Sequence, residues 1–435
     1  MTLPFHLGFF TSFAPDEWNG PLSSGGGAFA DGRFYIDIAR DLERACFDFI
    51  LFEDSLAIPD AFGGSTDEYL REALVAPKHD PVPLSVAVGA NTTRIGVAAT
   101  MSTTYYAPFT LARVSSTVDS LLGGRFGWNM VTTSGDAVAA NFGSKPLPPH
   151  DERYDRADEF VAAASALWNS WEPDAVILDH ESGVYADPSK VHPVDFKGRW
   201  HQTKGPLNTV RSPQGRPVFI QAGASDRGRQ FAADHAEVVV ATARGIEGMK
   251  AYRTDIRRRM ELAGRDPDSC KVLFLVTPIV GRTDEEAQAA YTAFMQTHRF
   301  QIDVLARLSA YTGHDLSVYD LDEPLPVIET EGSAGLLARL AQWGTGKTLR
   351  QCVIEMGFAS DCIDLVGTAD TIADTMVAAI DEIGGDGFLF GAPGFQPSRA
   401  HIAGLTEALV PALQRRGVVR TSYEFPTFRE NLLAF

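Results

Sequence analysis

The sequence predicts a parallel α/β barrel, and three observations carry that prediction. Eight short apolar segments, near residues 6, 47, 94, 125, 217, 238, 271 and 387, read as buried strands. Segments with helical spacing of apolar residues separate them, and eight strands alternating with helices is the count of a (β/α)8 TIM barrel. Polar residues gather where several of these strands end, the side on which parallel α/β folds bind ligands. The chain has 435 residues, and a barrel absorbs that length in one domain if insertions of about 56–83, 172–212 and 313–360 sit at its C-terminal face.

Taken in order, His6 to Phe10 is the first strand, followed by a polar loop through Gly25-Gly26-Gly27 whose spacing matches no phosphate-binding pattern. Tyr35, Ile38, Ala39, Leu42 and Cys46 line one helical face. The next apolar run, FDFILFED over residues 47–54, ends in two acids. An unpaired buried carboxylate is costly, so Asp54 either accepts hydrogen bonds from nearby backbone or contacts a ligand. Residues 56–83 form a Pro- and Gly-punctuated wall or lid with a helical patch around Tyr69 to Ala76. A strand from Arg94 to Thr100 exits through the hydroxyl-rich TMSTTYY.

Leu111, Val114, Val118, Leu121 and Leu122 predict a helix over 109–122 that stops at Gly123-Gly124. The strand from Arg125 to Val131 then brings Trp128, Asn129, Thr132, Thr133 and Ser134 to one carboxyl end. A helix from Asp151 to about Trp171 begins past Pro148-Pro149, which sets His150 and Tyr154 on or beside its first turn. His180, His192 and His201 stand 12 and 9 residues apart, match no short metal motif, and read as insertion surface. The strand Pro217 to Ala222 leads through Gly223-Ala224-Ser225 into a helix ending near His235. Free N–H groups and the helix dipole at such a turn favour a phosphate, although Ser225 can equally be a plain N-cap.

Two further strands, Val238 to Ala243 and Lys271 to Gly281, flank a basic helix around 247–263. One long helix is expected from Asp284 to about Tyr311, then an acidic, proline-containing second lid over 313–334. Thr371 to Ile383 is helical, Gly387 to Phe390 is a strand, and Arg399 to Arg415 closes the fold. The segment Gly344-Thr345-Gly346-Lys347-Thr348 imitates the end of a P-loop, but the required first glycine falls on Ala341 and no strand precedes it. The terminal SYEFPTFRENLLAF can dock on a partner subunit or on its own barrel.

With 38 basic and 56 acidic residues the formal charge is −18, which makes nucleic acid or an anionic membrane a poor partner. Four cysteines without a CxxC pattern suit buried thiols and a reducing cytoplasm better than disulfides or a metal centre. The opening MTLPFHLGFF has no basic n-region, and no apolar run approaches the ~20 residues of a membrane helix, so an intracellular protein is expected.

The stretch GGRFGWNMVTTSGDAVAANFG (123–143) resembles the signature of two-component flavin monooxygenases of the bacterial-luciferase-like superfamily, the group around nitrilotriacetate and dibenzothiophene-sulfone monooxygenases. LERACFDFILFEDS, ATMSTTYYAPFTLAR, HDERYDRADEF, LWNSW, SGVYADPSKVHPVDFKGRW, GPLNTVRSPQGRPVFIQAGASDRGRQFAADHAE and PIVGRTDEEA follow the same pattern in register. The resemblance implies a luciferase-like TIM barrel that oxidises a small organic substrate with O2 and FMNH2. A separate NAD(P)H-dependent flavin reductase would supply the reduced FMN, and the chain would assemble as a homodimer or homotetramer. It implies flavin contacts at Asp54, Thr100, Asn129, His150 and Tyr154, with the phosphate at Gly223, Ala224 and Ser225. His150 would additionally stabilise charge or move a proton. Glu53 stands where such proteins more often have a small residue. Substrate identity does not follow from fold, since the family oxidises aminopolycarboxylates, organosulfur compounds, alkanes and nitrogen heterocycles. A deazaflavin-dependent oxidoreductase of the same superfamily and a non-catalytic flavin-binding protein are the alternatives.

Overall fold

The computed structural model describes residues 4–11, 31–133, 135–143, 147–324, 346–356 and 362–435. Eight parallel strands close into a barrel: β1 (His6–Thr11), β2 (Phe49–Phe52), β3 (Gly96–Ser102), β4 (Phe126–Val131), β5 (Val218–Gln221), β6 (Val238–Ala241), β7 (Lys271–Val276) and β8 (Gly387–Phe390). Each pairs with its chain neighbours, and β8 closes on β1 through His6 opposite Gly387 and Gly8 opposite Leu389. These are the eight strands expected. They were legible as continuous apolar runs because a parallel strand in a barrel is buried on both faces.

Alternation along the strands divides two cores. Phe49, Leu51, Ala98, Val218, Ile220, Val238, Val240, Leu273, Leu275 and Leu389 fill the barrel interior. Their neighbours, among them Val97, Ala99, Phe126 and Met130, pack outward against the helices. Trp128 belongs to the outer set, which corrects its expected place among the polar groups at the end of β4. Its ring lies 5.4 Å from Phe219 and 5.9 Å from Phe160, and its Nε1 donates to the Met101 carbonyl at 2.9 Å. With a period of two, Asn129 must then point inward.

The helices around the barrel are α1 (Arg33–Arg44), α2 (Pro81–Gly89), α3 (Pro108–Leu121), α4 (His150–Trp168), α5 (Asp226–His235), α6 (Gly245–Leu262), α7 (Asp284–Met295), α8 (His298–Thr312) and α9 (Ala369–Ile383). Helix α1 ends before Cys46, whose φ of 64° takes it off the expected face. Gly123 (φ 62°) and Gly124 (φ 84°) terminate α3 as anticipated, and a Cβ on Gly124 would meet Thr427 at 2.8 Å. The single helix expected over 284–311 is two, because the Thr297 hydroxyl accepts the Phe300 N–H at 3.2 Å and starts a new helix without any Gly or Pro. The segment 399–415 is helical, with a π turn over Gly404–Leu409 just before Pro411, which has no N–H for the regular ladder.

The insertions differ in character. Before α2 begins at Pro81, residues 56–83 carry a 3-10 turn over Phe62–Gly64 and a short helix over Asp67–Arg71, shorter than the patch expected to Ala76 because Ala73 has φ 51°. Phe62, Tyr69, Leu74 and Val75 share a second small core with Phe300, Leu305, Leu316 and Leu349, so this wall and α8 form one layer. Residues 172–212 follow a helix rather than a strand and therefore run along the flank of α4 toward the start of β5. They form two short antiparallel ribbons, Val176–Asp179 with Val184–Ala186 and Phe196–Lys197 with Gln202–Thr203. Glu159 of α4 holds them by accepting three backbone N–H groups from Arg199, Trp200 and His201. Gly25 to Gly27, Ser134, Gly344, Thr345 and most of the 313–360 insertion lie outside the described residues.

The C-terminal segment docks on its own barrel. Helix α10 (Phe428–Leu432) caps the end opposite the strand exits, with the Phe428 ring 5.3 Å from Phe49. Gly96 and Gly127 make room for it, since a Cβ on either would approach that ring to 2.7 and 3.2 Å. Arg429 reaches Glu237 at 2.5 Å and the Gln214 carbonyl at 2.6 Å. Arg420 pairs with buried Asp48 at 2.7 Å, and Phe435 stacks on His6 at 4.3 Å. Phe428→Ala should cost ~3–5 kcal/mol in urea unfolding, the range for emptying a buried aromatic site; a loss under ~1 kcal/mol would mean the barrel does not depend on this plug.

Candidate functional site

The strand exits bring the expected residues together in two groups. In the first, Thr100 of β3 and Asn129 of β4 are paired in register, both buried, and Asn129 Nδ2 donates to Thr100 Oγ1 at 2.8 Å. That bond fixes the amide orientation and leaves Asn129 Oδ1 buried without a hydrogen-bond partner. Buried acceptors are rarely left unsatisfied, so this oxygen marks a place where a donor is to be delivered.

The second group lies on the turn from β5 into α5. Ser225 is the N-cap of α5, its hydroxyl accepting the Gly228 N–H at 3.0 Å. The same hydroxyl lies 3.3 Å from His150 Nε2, while His150 Nδ1 bonds Asp151 at 2.7 Å. His150 and Tyr154 are one turn apart on α4, with ring centroids at 5.2 Å. The half-exposed imidazole sits on the rim, and the buried Tyr154 phenol points among Thr132, Gln221 and Ser225. Burial pushes that phenol up, against the hydrogen bonds from those three side chains. Gly223 and Gly228 let the turn pack tightly on the start of α5: a Cβ on Gly223 would be 2.7 Å from Gln221 Nε2 and 2.8 Å from the Gly228 Cα, and one on Gly228 would be 2.8 Å from the Tyr154 hydroxyl. Tyr252 donates to the Gly223 carbonyl at 2.9 Å and holds the turn from beneath. Ala224 is exposed on the outer side of this turn. A helix N-terminus, a capping hydroxyl and an imidazole nitrogen 3.3 Å from that hydroxyl fit a phosphate monoester.

Asp54 stands apart from both groups. It follows β2, is half-buried, and has Lys78 and Asp80 as its charged neighbours. Burial raises its pKa to about 6. Beside it, Glu53 is raised by burial to about 7, although Lys78 Nζ lies only 2.8 Å from its Oε1. Arg307 and Asp303, buried one turn apart on α8 and 2.7 Å from each other, complete a charged mouth.

Several of these residues gave no signal in the sequence. Lys78 lies in an insertion without periodicity, and Arg307 and Asp303 sit inside a helix whose other faces are apolar. Gln221 had one: it ends a buried apolar strand, much as Glu53 directly follows one, and its Oε1 accepts the Gly223 N–H at 2.6 Å.

Among the described residues, no group of three or more His, Cys, Asp or Glu side chains could hold a metal ion, and no helix is long and apolar enough to cross a membrane. The thiols of Cys270, Cys352 and Cys362 are buried and that of Cys46 is half-buried.

Comparison with known proteins adds to this geometry. The family model described as luciferase-like monooxygenase matches residues 5–387. Dibenzothiophene-sulfone monooxygenase of Rhodococcus erythropolis is 37% identical over 417 residues, 93% of this chain and 90% of that protein. Nitrilotriacetate monooxygenase component A of Aminobacter aminovorans is 36% identical over 415 residues, 92% of this chain and 90% of its own length. A crystal structure of riboflavin lyase with modified FMN and riboflavin superposes with a TM-score of 0.88 at 33% identity, covering 99% of this chain and 96% of that one. A flavin is thereby supported as the cofactor.

The raised carboxyls have a consequence for stability. A carboxyl whose folded pKa lies above its unfolded value keeps its proton longer in the native state, so stability falls as pH rises between the two values. For Glu53 that window runs from the ordinary 4.5 to about 7, and one such group contributes at most ~1.4 kcal/mol per pH unit. Thermal unfolding followed from pH 5 to 8 should show a Tm decline that is shallower in Glu53→Gln; identical slopes would mean that Glu53 ionises in the folded state as it does in the unfolded chain.

Proposed function

Because the chain belongs to the luciferase-like monooxygenase family, we propose that it is the oxygenase of a two-component system. It takes reduced FMN from a separate NAD(P)H-dependent flavin reductase and uses O2 to oxidise a small organic substrate. The observation that carries the FMN assignment is the turn at Gly223, Ala224 and Ser225, where the Ser225 hydroxyl caps the N-terminus of α5 and is faced by His150 Nε2. When bound, FMN supplies the activation of dioxygen. The chain supplies the rest.

In this reading the phosphate is held by the N-terminus of α5, by Ser225 Oγ and by His150 Nε2. Tyr154 orients the ribityl chain from α4. Thr100 and Asn129 take the polar edge of the ring, and the orphaned Asn129 Oδ1 receives a ring N–H. Asp54 limits the ring on the β2 side. The apolar barrel interior below and the wall formed by 56–83 and α8 keep bulk water from the reaction. His150, placed on the rim with Asp151 on its other nitrogen, can also hold or move a proton at Nε2. We propose a cytoplasmic homodimer or homotetramer.

Anaerobic titration with reduced FMN, then mixing with oxygenated buffer, is the direct test. Bound FMN is expected to reoxidise at a rate distinct from that of free FMN, and identical rates would overturn the proposal. Ser225→Asp keeps the N-cap but sets a carboxylate against the phosphate. It should weaken FMN at least about tenfold, or ~1.4 kcal/mol, while leaving riboflavin binding within about twofold, well under ~1 kcal/mol. An equal loss for both ligands would remove the phosphate from this turn. His150→Ala should lower turnover with FMN saturating; full turnover would confine His150 to binding.

A further inference from the structure

Glu53 directly follows β2, and the register of β2 on β3, Leu51 to Ala98 and Phe52 to Ala99, carries it alongside Thr100, which pairs with Asn129. Leu51 and Ala98 face the barrel interior, so alternation places Glu53, Thr100 and Asn129 in one inward row across three strands. The Glu53 side chain is 8% exposed. Its Oε1 takes the Lys78 ammonium at 2.8 Å, while Oε2 is buried without a hydrogen-bond partner. Leaving such an oxygen unpaired costs ~1–3 kcal/mol or more, a cost removed when an entering molecule brings a donor.

The surroundings say which donor. Lys78 comes from the 56–83 wall and Arg307 from α8, and both act on Glu53. Against Lys78, Arg307 and Arg299, which acts on Asp303, stand the carboxyls of Glu53, Asp54, Asp80, Asp303 and Glu72, so among the described residues the mouth carries an excess of negative charge once these carboxyls are ionised, and favours a cation. These groups lie on the wall side, opposite the turn assigned to the phosphate.

Resting on the FMN reading above, we propose that Glu53 determines substrate specificity. Its Oε2 accepts a hydrogen bond from an N–H of the substrate, so that molecules carrying an amine or ammonium group near the oxidised atom are preferred over thioethers or hydrocarbons of the same size. Lys78 fixes the carboxyl rotamer by occupying the other oxygen. The pocket is polar along this row and apolar below it, where Leu51, Leu275 and Leu389 line the barrel.

The test compares two probes of matched skeleton, 2-(methylthio)ethylamine and ethyl methyl sulfide, on the FMN-loaded enzyme at pH 8, read by perturbation of the bound flavin's absorbance. The wild-type protein should bind the amine at least about tenfold more tightly, ~1.4 kcal/mol, and Glu53→Gln and Glu53→Ala should bring the two probes to near equality. Lys78→Met, which retains the carboxylate, should keep the preference for the amine. Equal binding of the probes by the wild type, binding of neither, or a preference that survives in both Glu53 variants overturns the proposal. A tenfold loss of FMN affinity in Glu53→Gln would assign Oε2 to the flavin, overturning the substrate role while leaving the FMN reading intact. Failure of the wild type itself to bind FMN would instead strike the FMN reading.

Discussion

Closing eight parallel strands on themselves buries both faces of every strand, and the rest of this molecule follows from that constraint. The interior has to be filled without a pore and without overpacking. Here three inward glycines do part of that. Gly8 leaves space for Phe49 and Leu389, and Gly96 and Gly127 leave space for Phe428, which arrives from the far end of the chain. Filling one end of the barrel with the C-terminal helix leaves only the other end, where the strands exit, open to a ligand. The sequence distance between Gly96 and Phe428 is large, so the barrel floor is assembled only when the whole chain is in place.

That constraint also explains what could be read in advance. A strand buried on both faces is a run of apolar residues, and all eight such runs were visible. Which face a residue takes was not. Trp128 and Asn129 are adjacent in sequence, and both looked like candidates for the site. A period of two sends one to Phe160 and Phe219 and the other to Thr100. Composition cannot assign that phase without a partner strand. The division between α7 and α8 was hidden for a similar reason. A Thr hydroxyl that caps one helix and a Thr hydroxyl that lies on its surface are the same letter, and Thr297 is decided by geometry.

The candidate site was partly legible through local patterns and opaque where it depends on tertiary contact. Gly223-Ala224-Ser225 between a strand and a helix announces its chemistry within three residues. His150 meets Ser225 across 75 positions, and only the resemblance joined them beforehand. The mouth was the least legible region. Lys78, Asp303 and Arg307 lie on segments whose role emerges when the 56–83 insertion packs on α8 through Tyr69, whose hydroxyl donates to the Ala306 carbonyl at 2.8 Å. Insertions of this kind carry specificity in barrels because they can change without disturbing the strands.

Two buried glutamates at opposite ends of the barrel show how the same side chain acquires different functions. Burial would raise Glu237, but Arg216 and Arg429 outweigh it and hold it at about 2; the Phe219 N–H completes its shell. Among the described residues Glu53 has a single cation within bonding distance, Lys78, and burial wins, leaving it at about 7. An ion pair with all its hydrogen bonds made is a fixed part of a structure, because removing any partner strands a charge in a medium that solvates it poorly. One with an oxygen left over is unfinished. At the floor, nothing needs to enter and the shell is complete. At the mouth, a complete shell would leave nothing with which to recognise a polar molecule, so the missing hydrogen bond is where the barrel can distinguish one substrate from another.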